Sequence, residues 1–173
     1  MHFRTKKNIV LNAILACLGI LFGYAEMLLV PDLFFPGMKL GISNIVVLFA
    51  VMTLRKRDVF CIGIIKAIVN GLIFSGLTSC FYSITGVIFS VSVMCGLRRM
   101  YTSNKISAIG ISVAGSAFFN LGQILAACLV LRAFAPVYYL NYYLFLSVVT
   151  GAVTGTVVQI ILNKGVVKRF EKK

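Results

Sequence analysis

Six long apolar runs separated by short polar or charged links set the pattern of this chain. They are Ile9 to Val30, Leu40 to Leu54, Val59 to Leu77, Ser79 to Leu97, Ile106 to Leu131 and Tyr138 to Leu162. A bilayer core of about 30 Å needs about 20 residues of helix, somewhat fewer where a helix is broken. Each run is apolar nearly all round and far longer than a strand, which argues for helices over an alternating β-barrel pattern. The pattern therefore predicts an all-α polytopic membrane protein of one domain, a six-transmembrane-helix bundle. The second run is short and the boundary between the third and fourth is blurred around Gly76 to Ser79, so five or seven spans stay open. The first run continues past Gly19 without a small-residue cleavage site, so it reads as a span and not as a cleaved signal peptide.

Composition agrees, with 60% hydrophobic residues, 12% charged residues and a mean hydropathy of +1.01. A net charge of +13 would point to nucleic acid in a soluble protein, but its distribution describes topology instead. Arg4, Lys6 and Lys7 precede the first run, Arg55, Lys56 and Arg57 follow the second, Arg98, Arg99 and Lys105 follow the fourth, and Lys164, Lys168, Arg169, Lys172 and Lys173 follow the sixth. With six crossings all of these lie on one side. That is the positive-inside pattern, with both termini cytoplasmic and a multi-pass chain in the cell membrane, touching anionic lipid headgroups and no nucleic acid.

The remaining basic residues are Lys39, Lys66 and Arg132, and the acids Glu26 and Asp32 share their half of the molecule. Lys66 lies in the middle of the third run. A charge at that depth costs about 2.5–3.5 kcal/mol on insertion scales, so it faces a protein interior, a wet cavity or a counter-ion. At about 1.5 Å per residue from Asp58, Lys66 lies about 12 Å deep, with Asn70 one turn further on the same face. Asn120 falls at similar depth in the fifth run, with Gln123 three residues on. These positions predict a cavity open to the outside, floored by Lys66, lined by Asn70, Asn120 and Gln123, with Lys39 and Glu26 nearer its mouth. Two plainer readings stand beside it: Lys66 paired directly with Glu26, and Asn120 and Gln123 as interhelical hydrogen-bond glue worth about 0.6 kcal/mol per bond. Pro36, Gly37 and Gly41 around Lys39 suit a broken or re-entrant backbone.

Several chemistries are excluded. Cys17, Cys61, Cys80, Cys95 and Cys128 are scattered without paired spacing and His2 is the one histidine, so no metal site, disulfide framework or cofactor site is encoded. There is no Gly-x-x-x-x-Gly-Lys-[Ser/Thr] loop, so any ATP-driven step needs a partner. Asp32 and Asp58 are the only aspartates and lie far apart, which leaves no aspartate-rich Mg²⁺ site for diphosphate chemistry. No nucleophilic triad emerges, and the chain is not an enzyme by itself. Small residues then suggest packing faces. Gly151 and Gly155 fit close helix approach within the chain, while Ala16, Gly19 and Gly23 make the better docking face for a separate membrane subunit.

Three segments resemble a known family: Pro36 to Val46 (PGMKLGISNIV), Tyr82 to Gly86 (YSITG) with Ser90, and Gly115 to Gln123 (GSAFFNLGQ). They are similar to the bacterial Gx transporter family, also named heptaprenyl diphosphate synthase component I, over essentially the whole chain. This chain has Phe119 where that family tends to have histidine, and Lys66 where arginine is more usual. The family in turn looks like the substrate-binding S-components of energy-coupling factor (ECF) transporters. The resemblance implies six helices with cytosolic termini, a ligand in the outer half, the first loop as a lid, and helix 1 against a transmembrane coupling subunit that carries two ATPases. Carried over by residue, it points at Lys39, Asn44, Lys66, Tyr82, Ser83, Asn120 and Gln123. The leading expectation is thus an S-component-like protein for uptake of a small anionic or polar metabolite, vitamin-like or phosphate-bearing. The second, implied by the family's other name, is a membrane accessory subunit of polyprenyl diphosphate synthesis that holds the lipid product or a soluble prenyl synthase.

Overall fold

Where no water can satisfy backbone amides, an apolar chain must bond them within helices. The computed structural model, which describes residues 2–29, 39, 41–103 and 105–164, has six α-helices and no strand among those residues. They are α1 (His2–Leu29), α2 (Asn44–Thr53), α3 (Lys56–Asn70), α4 (Gly76–Thr102), α5 (Ala108–Leu131) and α6 (Leu140–Asn163). Among the described residues four segments are long and apolar enough to cross a membrane, namely Ile9–Leu28, Gly76–Thr102, Ala108–Leu131 and Ala135–Asn163. Leu21, Leu28, Ile73, Leu77, Leu129, Phe145 and Val153 are among the many apolar side chains on the outside, an arrangement that suits acyl chains.

The second and third apolar runs differ from the expected spans. Leu40 to Leu54 yields a helix of only ten residues, Asn44–Thr53, about 15 Å long and half of a bilayer core. Gly41, at φ 86°, and the turn at Ile42 and Ser43 set its start, with the Asn44 amide donating to the Gly41 carbonyl at 2.9 Å. The third run becomes α3 followed by a π-helical turn, Gly71–Ser75. The break into α4 falls at Gly76, whose φ of 85° is open to glycine and strained for most other residues. The blurred boundary in the sequence is this glycine.

The short α2 is the centre of the bundle. Val47, Leu48, Ala50 and Val51 are buried there among Leu15 and Ala16 of α1, Val59 and Ile62 of α3, Val87, Val91 and Met94 of α4, Ile111 and Phe119 of α5, and Val158 of α6. At its far end the Arg98 guanidinium donates to the Leu54 carbonyl at 2.6 Å, satisfying a backbone acceptor that the helix end leaves free. The Gln159 side chain likewise accepts from the Ala108 amide at 3.2 Å, and Ser107 caps α5 by accepting from the Gly110 amide. These contacts bring the α2–α3 link, the α4–α5 link and the end of α6 to one end of the bundle. Arg55, Lys56, Arg57, Arg98, Arg99, Lys105 and Lys164 all sit there. The amino end of α2 therefore lies about halfway up the bundle.

Glycines set the closest helix approaches. A methyl group on Gly122 would come within 2.9 Å of the Gly86 Cα, and methyl groups on Gly151 and Gly155 within 2.6 Å of the Val113 and Ile109 Cα atoms. Hence α4 meets α5, and α5 meets α6, backbone to backbone.

Candidate functional site

The residues that a membrane interior tolerates least meet at the amino end of α2. Lys66 projects from α3, is 3% exposed, and donates from Nζ to Ser43 Oγ at 3.0 Å and to Asn44 Oδ1 at 3.2 Å. Glu26 of α1 is 2% exposed; its Oε1 accepts from the Gly41 amide at 2.6 Å and its Oε2 from the Ser43 amide at 3.3 Å. Both amides belong to the turn just before α2, so the carboxylate lies beside the helix start, where the partial positive charge favours an anion. Glu26 and Lys66 are therefore not joined side chain to side chain; Ser43 stands between them.

The stripe Ala16, Gly19 and Gly23, expected to face a partner subunit, instead faces α3. A methyl group on Gly19 would come within 3.1 Å of Lys66 Cδ, and one on Gly23 would collide with the Asn70 amide. Ala16, Gly19 and Gly23 are all buried, so this face is filled from within the chain. The physical reason is shielding: Lys66 and Asn70 sit one turn apart on α3, and only glycines one turn apart on α1 let a helix close over them.

Lys39 lies in the segment leading to α2. It is half-buried, and its backbone amide donates to Gln123 Oε1 at 3.3 Å. Asn120 points to α6, where its Nδ2 donates to the Tyr143 carbonyl at 3.0 Å. That bond links α5 to α6, while the buried Asn120 Oδ1 has no hydrogen-bond partner. Tyr82 packs with Ile124, Ala126, Ala127 and Tyr143 in a second apolar cluster, away from Lys66. Ser83, on the next residue of α4, is buried with no hydrogen-bond partner.

The structure thus brings together Glu26, Lys39, Asn44, Lys66 and Gln123, with Asn70 against Gly23, and sends Asn120 and Tyr82 to the α5–α6 side. Lys66, Asn70, Asn120 and Gln123 are covered by protein, so in this state they do not line a cavity open to solvent as expected. Sequence reasoning missed Ser43 as the link between the two charges. Its place just before the short helix, inside the Gly-Ile-Ser-Asn run, was the available signal. Phe119, the residue in the histidine position, packs its ring against Gly86 and Gly41 and is a core side chain. Asp32, Pro36 and Gly37 lie outside the described residues.

The family model for heptaprenyl diphosphate synthase component I matches residues 15–161. The chain belongs to that family. No curated protein and no solved structure matches it at a significant level. Component I is by description one part of a prenyl diphosphate synthase.

Proposed function

We propose that this component I chain is the membrane part of a polyprenyl diphosphate synthase assembly, holding a soluble prenyl synthase and its lipid product at the cytoplasmic membrane. The family match over residues 15–161 carries this reading. The end of the bundle that gathers Arg55, Lys56, Arg57, Arg98, Arg99, Lys105 and Lys164 supports it, because clustered cations attract both anionic headgroups and a diphosphate. In this reading the chain crosses six times, α2 and the preceding segment forming one crossing and α3 with its π turn another, with both termini cytoplasmic. Affinity purification of the tagged full chain from cells that also express a soluble prenyl synthase and ECF coupling subunits tests it. A stable complex with the synthase is expected; a complex with the ATPase module alone would reverse the assignment.

A second reading, S-component-like uptake of a small anionic metabolite, is favoured by one observation. The amino end of a half-length helix sits at mid-depth beside buried cations, as in transporters that bind anionic groups on broken helices. Its ligand would meet Lys39, Asn44, Lys66, Asn70 and Gln123, with Ser83 and Asn120 behind them and Glu26 as counter-ion. Uptake into cells expressing the chain, with and without coupling subunits, checks it; uptake unchanged by Lys66→Met would rule out this site.

A further inference from the structure

Among the described residues the α2 amino end gathers two cations, Lys39 and Lys66, around one carboxylate, Glu26. It is one negative charge short. Two buried side-chain amides there also keep a free donor, and chemistry fixes which atom that is. An ammonium only donates, so the atom of Asn44 that meets Lys66 is Oδ1, and its Nδ2 is left without a partner against Gly41. The Lys39 backbone amide likewise needs an acceptor, so Gln123 turns Oε1 to it and leaves Nε2 without a partner. Asn44 is 2% exposed and Gln123 is 0% exposed, so neither free donor is served by bulk water. Buried donors in this condition call for an acceptor.

We propose that this end of α2 is an anion site that takes one oxyanion group, a carboxylate or a phosphoryl oxygen, and that Glu26 is the resident occupant with which the ligand competes. The site supplies the amides of Gly41 and Ser43, the free donors of Asn44 and Gln123, and the charge of Lys39 and Lys66. Backbone amides at a helix start with a lysine beside them are suited to such a group. Glu26 already holds two of those amides with a carboxylate, which identifies the chemistry the amides accept. One incoming negative charge brings the described cluster to neutrality. The proposal rests on the ligand-binding reading for the origin of its ligand, and it holds for either a free metabolite or the headgroup of a prenyl lipid.

The test uses the full chain in lipid nanodiscs, with inorganic diphosphate and acetate as probes and isothermal titration as readout. Saturable binding of at least one probe is expected, and Glu26→Gln, which removes the competing charge and keeps the shape, should tighten it about tenfold. Lys39→Met, at a half-buried position, should weaken it about tenfold. Geranyl diphosphate in place of inorganic diphosphate distinguishes a lipid headgroup, which binds tighter than the bare anion, from a free anion, which does not. Absence of saturable binding in both the native chain and Glu26→Gln, or a Glu26→Gln affinity no higher than native, overturns the site. Should Glu26→Gln fail to yield monodisperse protein, Lys39→Met decides alone: unchanged affinity overturns the proposal. Anion binding without any anion uptake by cells leaves the site standing and removes the transport reading. Uptake that ignores both substitutions does the reverse.

Discussion

Glu26 and Lys66 grip opposite sides of one residue: the carboxylate accepts the Ser43 amide at 3.3 Å, while the ammonium donates to the Ser43 hydroxyl at 3.0 Å. The two charges come from α1 and α3, and the residue between them belongs to the turn that starts α2. This relayed pair ties three helices together inside the bundle, where an uncompensated charge is costly. The same turn presents Gly41 to Glu26 and Asn44 to Lys66, so any change of its position alters both charges at once.

Removing one member of the relay should cost more than removing both. Glu26→Gln and Lys66→Met are each expected to lower stability by about 1–3 kcal/mol, since each leaves its former partner buried and less well satisfied. The double variant should lose less than the sum of the two. Denaturant unfolding of the detergent-solubilised chain measures the coupling as a double-mutant cycle; strict additivity would mean that the two charges do not communicate through Ser43.

The glycines of α1 should be unequal to other helical glycines. Gly23→Ala is expected to destabilise by about 1–3 kcal/mol, because its methyl group meets the Asn70 side chain in a packed interface. Asn70→Ala in the same chain should recover part of that loss. Gly96→Ala, where nothing lies within 4 Å, should be neutral or stabilising by up to about 1 kcal/mol through helix propensity. Thermal unfolding followed by circular dichroism separates the three.

Arg98 should matter through its hydrogen bond and not through net charge. Loss of the 2.6 Å bond to the Leu54 carbonyl in Arg98→Ala is expected to cost about 1–3 kcal/mol. Arg99→Ala, which removes the same charge from an exposed neighbour, should change stability by less than about 0.5 kcal/mol. Equal losses in the two variants would show that α2 does not depend on this cap.

Much of this protein is readable from its residues taken in order. The helical class follows from apolar runs that no strand pattern fits, the common basic end from the spacing of Arg55, Arg98, Lys105 and Lys164, and the need of Lys66 for polar partners from its position in the third run. These are local properties, set by transfer free energy over about 20 residues at a time. The break at Gly76 was visible too, as a weakening of the pattern. Only the tertiary structure decided which polar groups meet, because each residue turns a helix by about 100° and contacts depend on the register between helices far apart in sequence. That register turned Gly19 and Gly23 inward onto Lys66 and Asn70, sent Asn120 to α6, and placed Ser43 between Glu26 and Lys66. It also shortened the second apolar run to a half-helix, since Gly41, at φ 86°, and Ser43 turn the chain ahead of Asn44 and give their amides to the Glu26 carboxylate.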